Sequence, residues 1–148
     1  MLSGKCGLAC VSSVEWRDIN QNFRADLPLD AMGFDPGDLA FCYRIGKTRA
    51  SEPTLLITLR GQCVFRLDVN GDHFDGTDYY RGVTHLQTRR SPGGVEDFDP
   101  NPFGVPAVRE GERVDDSTYY SILSSFATLS KMDITRLNWE NVPEGRRP

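Results

Sequence analysis

Residues 54–69, "TLLITLRGQCVFRLDV", decide the fold class of this chain. The first six are apolar enough for a buried strand, and Arg60-Gly61-Gln62 reads as a turn. The second run alternates apolar and polar side chains. Together they predict an antiparallel hairpin. Successive strand side chains point to opposite faces. Cys63, Phe65, Leu67 and Val69 are therefore expected on one face, with Arg66, Asp68 and, if the strand continues, Asn70 on the other.

Working outward, "LAFCYRI" (39–45) and "GVTHLQTR" (82–89) are further strands. If Leu86 and Phe65 pack toward the core, then His85, Gln87 and Arg89 join Arg66 and Asp68 on the opposite face. His73 would then sit at the rim of that face. "DDSTYYSILSSFATLSKM" predicts a helix capped by Asp115 or Asp116. Its Tyr119, Ile122, Leu123, Phe126 and Leu129 follow helical spacing and form one core-facing stripe. "SSVEWRDINQNFR" (12–24) predicts a short helix, with Ser12 and Glu15 spaced as a capping box and Val14, Ile19 and Phe23 along one side. "DLPLDAMGFDPGD" reads as a loop, and "DITRLNW" (133–139) as a closing strand. Residues 91–112 hold four prolines and four glycines and read as a long irregular, mobile excursion. The sum is one α+β domain over 1–148: a mostly antiparallel sheet with an N-terminal and a C-terminal helix packed on one face.

At 148 residues the chain can bury a real core, and 39% hydrophobic content suits a folded protein. The net charge of −4 argues against bulk binding to nucleic-acid backbones, which needs a basic footprint. No apolar run approaches the roughly 20 residues of a membrane helix. "MLSGKCGLAC" lacks the apolar core of a signal peptide. A cytoplasmic setting with no membrane contact is the expectation. Cys6, Cys10, Cys42 and Cys63 lack zinc-ribbon spacing and are expected as unpaired thiols.

"RLDVNGDH" (66–73), with "THLQTRR" from Thr84, admits three readings. As a calcium loop, Asp68, Asn70 and Asp72 fit, but the sixth position is His73 and the twelfth Tyr79, where glycine and a bidentate acid belong. Two histidines are also a thin set for a transition metal, so neither metal nor cofactor is assigned. As a catalytic face, His73 and His85 supply the acid and base of phosphodiester cleavage. Arg66 or Arg89 would hold the phosphate, with Asp68, Asn70 and Gln87 orienting. As an ordinary hairpin, Asn70-Gly71 is a tight turn, Arg66 pairs with Asp68, and the histidines are surface or satisfied.

The pattern "FRLDVNGDHFDG…THLQTRR", followed by a Pro-containing loop and an acid-capped helix, resembles a small uncharacterised bacterial domain-of-unknown-function family. That family shows R-x-D-x-N-G, a histidine before an N-P-D-G-like turn, and an H-L-H strand. The likeness covers about residues 39–134, with Arg66, Asp68, Asn70, Gly71, His73, Gly76, His85 and Leu86 matching. Gln87 replaces the second histidine of H-L-H, and the turn shortens to Phe74-Asp75-Gly76. The resemblance implies that the 66–89 polar set is a site, in a small prokaryotic or phage protein of toxin–antitoxin or phage-defence type, and says little about the reaction. With the residue chemistry above, the leading expectation is a toxin-type protein acting on RNA, a nucleotide or another phosphodiester through His73 and His85. The opposing expectation is a non-enzymatic protein-binding module: an antitoxin-like partner of a cognate protein, or a phage inhibitor of a host defence.

Overall fold

The structure, a computed structural model, describes residues 7–148. In chain order the strands are β1 (Leu8–Ala9), β2 (Arg17–Ile19), β3 (Asn22–Ala31), β4 (Leu39–Gly46), β5 (Arg49–Leu59), β6 (Gln62–Phe74), β7 (Tyr79–Arg89), β8 (Glu96–Asp99) and β9 (Met132–Asp133). One helix, α1 (Asp116–Ser130), precedes β9. All strands share one sheet in the order β8-β7-β6-β5-β4-β3-β1-β9, with β2 beside β3. Among the described strands only β1 and β9 pair in parallel, and the isolated Ser13–Asn138 bridge is parallel too. The central strands are consecutive hairpins, so sequence neighbours are spatial neighbours.

The helix-packed α+β arrangement expected from the sequence is corrected. The described residues are mostly sheet, curled into a half-barrel, with a single helix toward the C-terminal end. Residues 12–24 form no helix. They hold β2, a two-residue turn and the start of β3, paired Ile19 to Asn22. Asn20 and Gln21 both take positive φ (49° and 67°), the signature of the hairpin turn whose twist matches the flanking strands. The loop expected at 26–38 begins only after Ala31. In β3, Phe23, Ala25, Leu27 and Leu29 are buried while Asp26, Pro28 and Asp30 are exposed. Pro28 is tolerated because β2 reaches only Arg24 and β1 only Asp30, leaving β3 an open edge between them. The closing strand expected at 133–139 shrinks to Met132–Asp133 and one bridge, Ser13 to Asn138.

The hairpin over 54–69 is present, pairing Thr54 with Asp68 and Ile57 with Phe65. Leu55, Ile57, Leu59 and Leu67 are buried on the inner face. Leu56 and Thr58 are half-buried on the other face, so β5 is covered fully on one side only. Helix α1 closes the inner side. Asp115 caps it, accepting from the Thr118 amide at 2.9 Å. Tyr119, Ile122, Leu123 and Phe126 are buried against the sheet. Phe126 meets Phe41 and Phe65 at ring distances of 5.5 and 5.4 Å. Leu129, the fifth residue of the expected stripe, is only half-buried.

Bulges supply the curl. Val64 is an extra residue against the Ile57–Thr58 step, and further register shifts interrupt β6–β7 at Asp68–Gly71 and Gly71–His73. Each bulge bends its strand and raises the local twist. Residues 91–112 are mostly irregular, as expected, but contribute the edge strand β8. The antiparallel sheet thus has one face on the core, and the polar set lies on the opposite, outer face, partly buried there.

Candidate functional site

The β6–β7 register pairs Arg66 with Gln87, Leu67 with Leu86 and Asp68 with His85. This is the register that the alternation requires. Arg66, Asp68, His85, Gln87 and Arg89 share the outer face, and Leu86 packs on the core. A one-residue slip would have reversed every one of them. His73, two bulges further along, folds back so that its ring centre lies 5.3 Å from that of His85.

Asp68 is the hub of the site. It is 8% exposed and accepts from Arg66 Nε (2.7 Å), Arg66 Nη2 (3.1 Å) and Thr54 Oγ1 (2.7 Å). Burial alone would raise its pKa. The contacts from His85, Arg66 and Thr54 outweigh burial and hold the carboxyl well below its ordinary range. His85 is 1% exposed. Its Nδ1 lies 2.7 Å from the Val83 carbonyl, which obliges that nitrogen to carry a proton. Its Nε2 has no partner in good hydrogen-bond geometry, and the nearest acceptor is Asp68 Oδ2 at 3.4 Å. Both nitrogens therefore face oxygen acceptors. Burial opposes a charged ring, but the Asp68 carboxylate and the Val83 carbonyl prevail and raise the pKa. The result is an Arg66–Asp68–His85 cluster whose carboxylate lies between a guanidinium and an imidazole that it favours in the protonated form.

A lid of residues from β8 covers this cluster. Phe98 stacks on His73 with ring centres 4.4 Å apart and also meets His85 and Tyr80 at 5.4 and 4.9 Å. Glu96 accepts from Arg89 Nη2 at 2.9 Å, and its other oxygen lies 3.5 Å from His73 Nε2. What remains open is a cleft of about 180 Å³ lined by Cys63, Val64, Arg66, Gln87, Arg89 and Glu96. Cys63 faces it because the Val64 bulge turns the thiol off the face expected for it. Burial pushes that thiol's pKa up despite nearby Arg66.

Asn70 does not join the site. It sits at a bulge with φ of 52°, so its side chain leaves the Asp68 face and donates to the carbonyls of Ser51 (2.9 Å) and Val108 (2.8 Å). Asn70-Gly71 is therefore no tight turn. The turn falls at Asp75–Asp78, where the Asp75 carboxylate accepts two amides. Gly71 is required for space, because a Cβ there would lie 2.9 Å from Asp68 Cβ and 3.2 Å from His85 Cε1. Among the described residues no group of three or more His, Cys, Asp or Glu is placed to hold a metal ion. Cys10, Cys42 and Cys63 are free thiols, and Cys6 lies outside the described residues.

Three members of the site were not legible beforehand. Thr54 reads as the start of an apolar run, and only the extra residue at the Val64 bulge brings it opposite Asp68 rather than Leu67. Glu96 and Phe98 lie in a stretch read as irregular, where the alternation of "EDFD" was the available signal. No described helix is long and apolar enough to cross a membrane. No family model matches the chain, and no curated protein or solved structure is significantly similar to it. Functional inference therefore rests on the geometry.

Proposed function

We propose that the protein is a non-enzymatic recognition module, whose outer-face cleft engages a protein segment bearing carboxylates. One observation carries this reading: His85 is 1% exposed with both ring nitrogens facing internal oxygens, whereas the side chains of Arg66 and Arg89 are each over a third exposed. A general acid or base must come within hydrogen-bond reach of its substrate. His85 has no route to one. Arg66 and Arg89 each spend part of their donor fork on an internal carboxylate or carbonyl and retain further N–H groups for a ligand.

A second reading keeps one support. His73 has a 15% exposed side chain beside Glu96, with His85 behind it and two arginines on the same face, so phosphodiester cleavage through His73 is the enzymatic alternative. Fluorescence anisotropy separates the two, using a labelled glutamate-rich peptide and a labelled single-stranded RNA. The expected result is salt-sensitive binding of the peptide, lost in Arg89→Gln, with the RNA left intact. RNA shortened by the wild type and spared by His73→Ala would overturn the recognition reading in favour of the enzyme.

A further inference from the structure

A different cavity, of about 280 Å³, opens between the C-terminal end of α1 and the corner where β6, β7 and β8 meet. Val64, Phe65 and Leu129 supply its apolar wall. The Val64 bulge and the half-buried Leu129 both border it. Arg89, Arg90 and Lys131 also line it, with Asp97 as the one carboxylate among the lining residues. Arg89 is already held by Glu96. Arg90 and Lys131 are exposed, and among the described residues neither has a carboxylate within ion-pair distance. In a chain of net charge −4, two unpaired cations beside an apolar wall are a local reversal of sign.

We infer that this cavity binds a small amphipathic carboxylate, its apolar body against Val64, Phe65 and Leu129 and its anionic head at Arg90 and Lys131. The volume sits at the lower end for ligand sites and accommodates on the order of ten non-hydrogen atoms. That excludes a long acyl chain and suits a medium-chain or aryl acid. The apolar wall contributes area removed from water, and the cations fix which end of the ligand faces out. Asp97 restricts the head to a single charge, since a second would face it.

The test is an amide-resonance titration of the full chain with octanoate, octanol and inorganic phosphate in parallel. Octanoate is expected to give saturable shifts centred on Val64, Leu129 and Ser130, with octanol and phosphate binding markedly more weakly. Arg90→Gln and Lys131→Gln, both surface changes that leave the fold intact, should each weaken octanoate by roughly fivefold. Absence of saturable shifts would overturn the inference. Octanol binding as well as octanoate, or octanoate affinity unchanged in both variants, would overturn the assigned role of the cations.

Discussion

His85 stands directly opposite Asp68 across β6–β7, with Nε2 3.4 Å from Oδ2, yet the imidazole is closed to solvent on every side. The Val83 carbonyl fixes the proton on Nδ1, so a neutral His85 would turn a lone pair toward a carboxylate. The charged ring avoids that conflict. The pair is therefore an internal support for the cleft, and it holds Arg66 indirectly through the shared Asp68.

Replacing His85 tests that role. His85→Ala leaves Asp68 buried with only Arg66 and Thr54, and opens a cavity beneath Phe98. The expected loss is about 3 kcal/mol of unfolding free energy, in the range for removing one partner of a buried charged pair. Urea denaturation of the variant measures it. A stability within about 0.5 kcal/mol of wild type would show that the histidine is not structural, and would return it to the functional account.

The same pair makes stability depend on pH, with opposite signs for its two members. His85 has its folded pKa raised above the ordinary 6.5, so its contribution is complete below that value and is lost as pH rises through the folded pKa. Asp68 has its folded pKa lowered below the ordinary 3.8, so its contribution is complete above 3.8 and is lost as pH falls through the folded value. Both are complete only between about pH 4 and 6.5. Comparing wild type with His85→Gln by urea unfolding across that range and up to pH 9 should show the difference shrinking on the alkaline side. A difference constant from pH 5 to 9 would contradict the charged state assigned to His85.

Gly71 gives a steric test of the same packing. Gly71→Ala places a methyl 2.9 Å from Asp68 Cβ, which is anchored by its own strand, and 3.2 Å from His85. Neither neighbour is a flexible chain end, so the backbone or the pair must shift. The cost should be about 1–3 kcal/mol, typical of overpacking. Thermal unfolding reads it, and a neutral result would mean that the β6 bulge relaxes freely.

The contrast between what the sequence disclosed and what it hid follows from how local each signal was. The 54–69 hairpin was legible from an apolar run and the turn that follows it, the capped helix from its 3.6-residue period, and the shared face of Arg66, Asp68, His85, Gln87 and Arg89 from alternation that no bulge interrupts within 65–68 or 85–89. Residues 12–24 misled because Ser12 and Glu15 mimic a capping box, although Val14 and Phe23, nine residues apart, point to opposite sides of a helix, while the turn residues Asn20-Gln21 lack the glycine that usually marks such a turn. β3 was hidden by Pro28, which an open edge tolerates. Cys63 and Asn70 were assigned to faces they do not occupy because a bulge adds one residue and reverses the alternation beyond it. Thr54, Glu96 and Phe98 entered the site through pairing across strands, which no single segment encodes.

Asn70 offers the sharpest check, because its backbone and its side chain can be tested separately. Its φ of 52° lies in the left-handed region, where Gly is free of strain and Ala costs about 1–2 kcal/mol. Its Nδ2 donates to the carbonyls of Ser51 and Val108, tying β6 to β5 and to the long loop. Asn70→Gly keeps the backbone and loses both bonds, for an expected cost of about 2 kcal/mol. Asn70→Ala loses the bonds and adds the strain, for about 3 kcal/mol. Asn70→Asp retains the shape but turns a carboxylate toward two carbonyls, and should cost the most of the three at neutral pH and above, where the carboxyl is ionised. Urea denaturation of the set should rank Gly, then Ala, then Asp in increasing loss. If Ala and Gly are equal, the bulge conformation is not enforced at this residue. If Asp is as stable as wild type, the amide is not the donor that joins the loop to the sheet, and the bulge has some other cause.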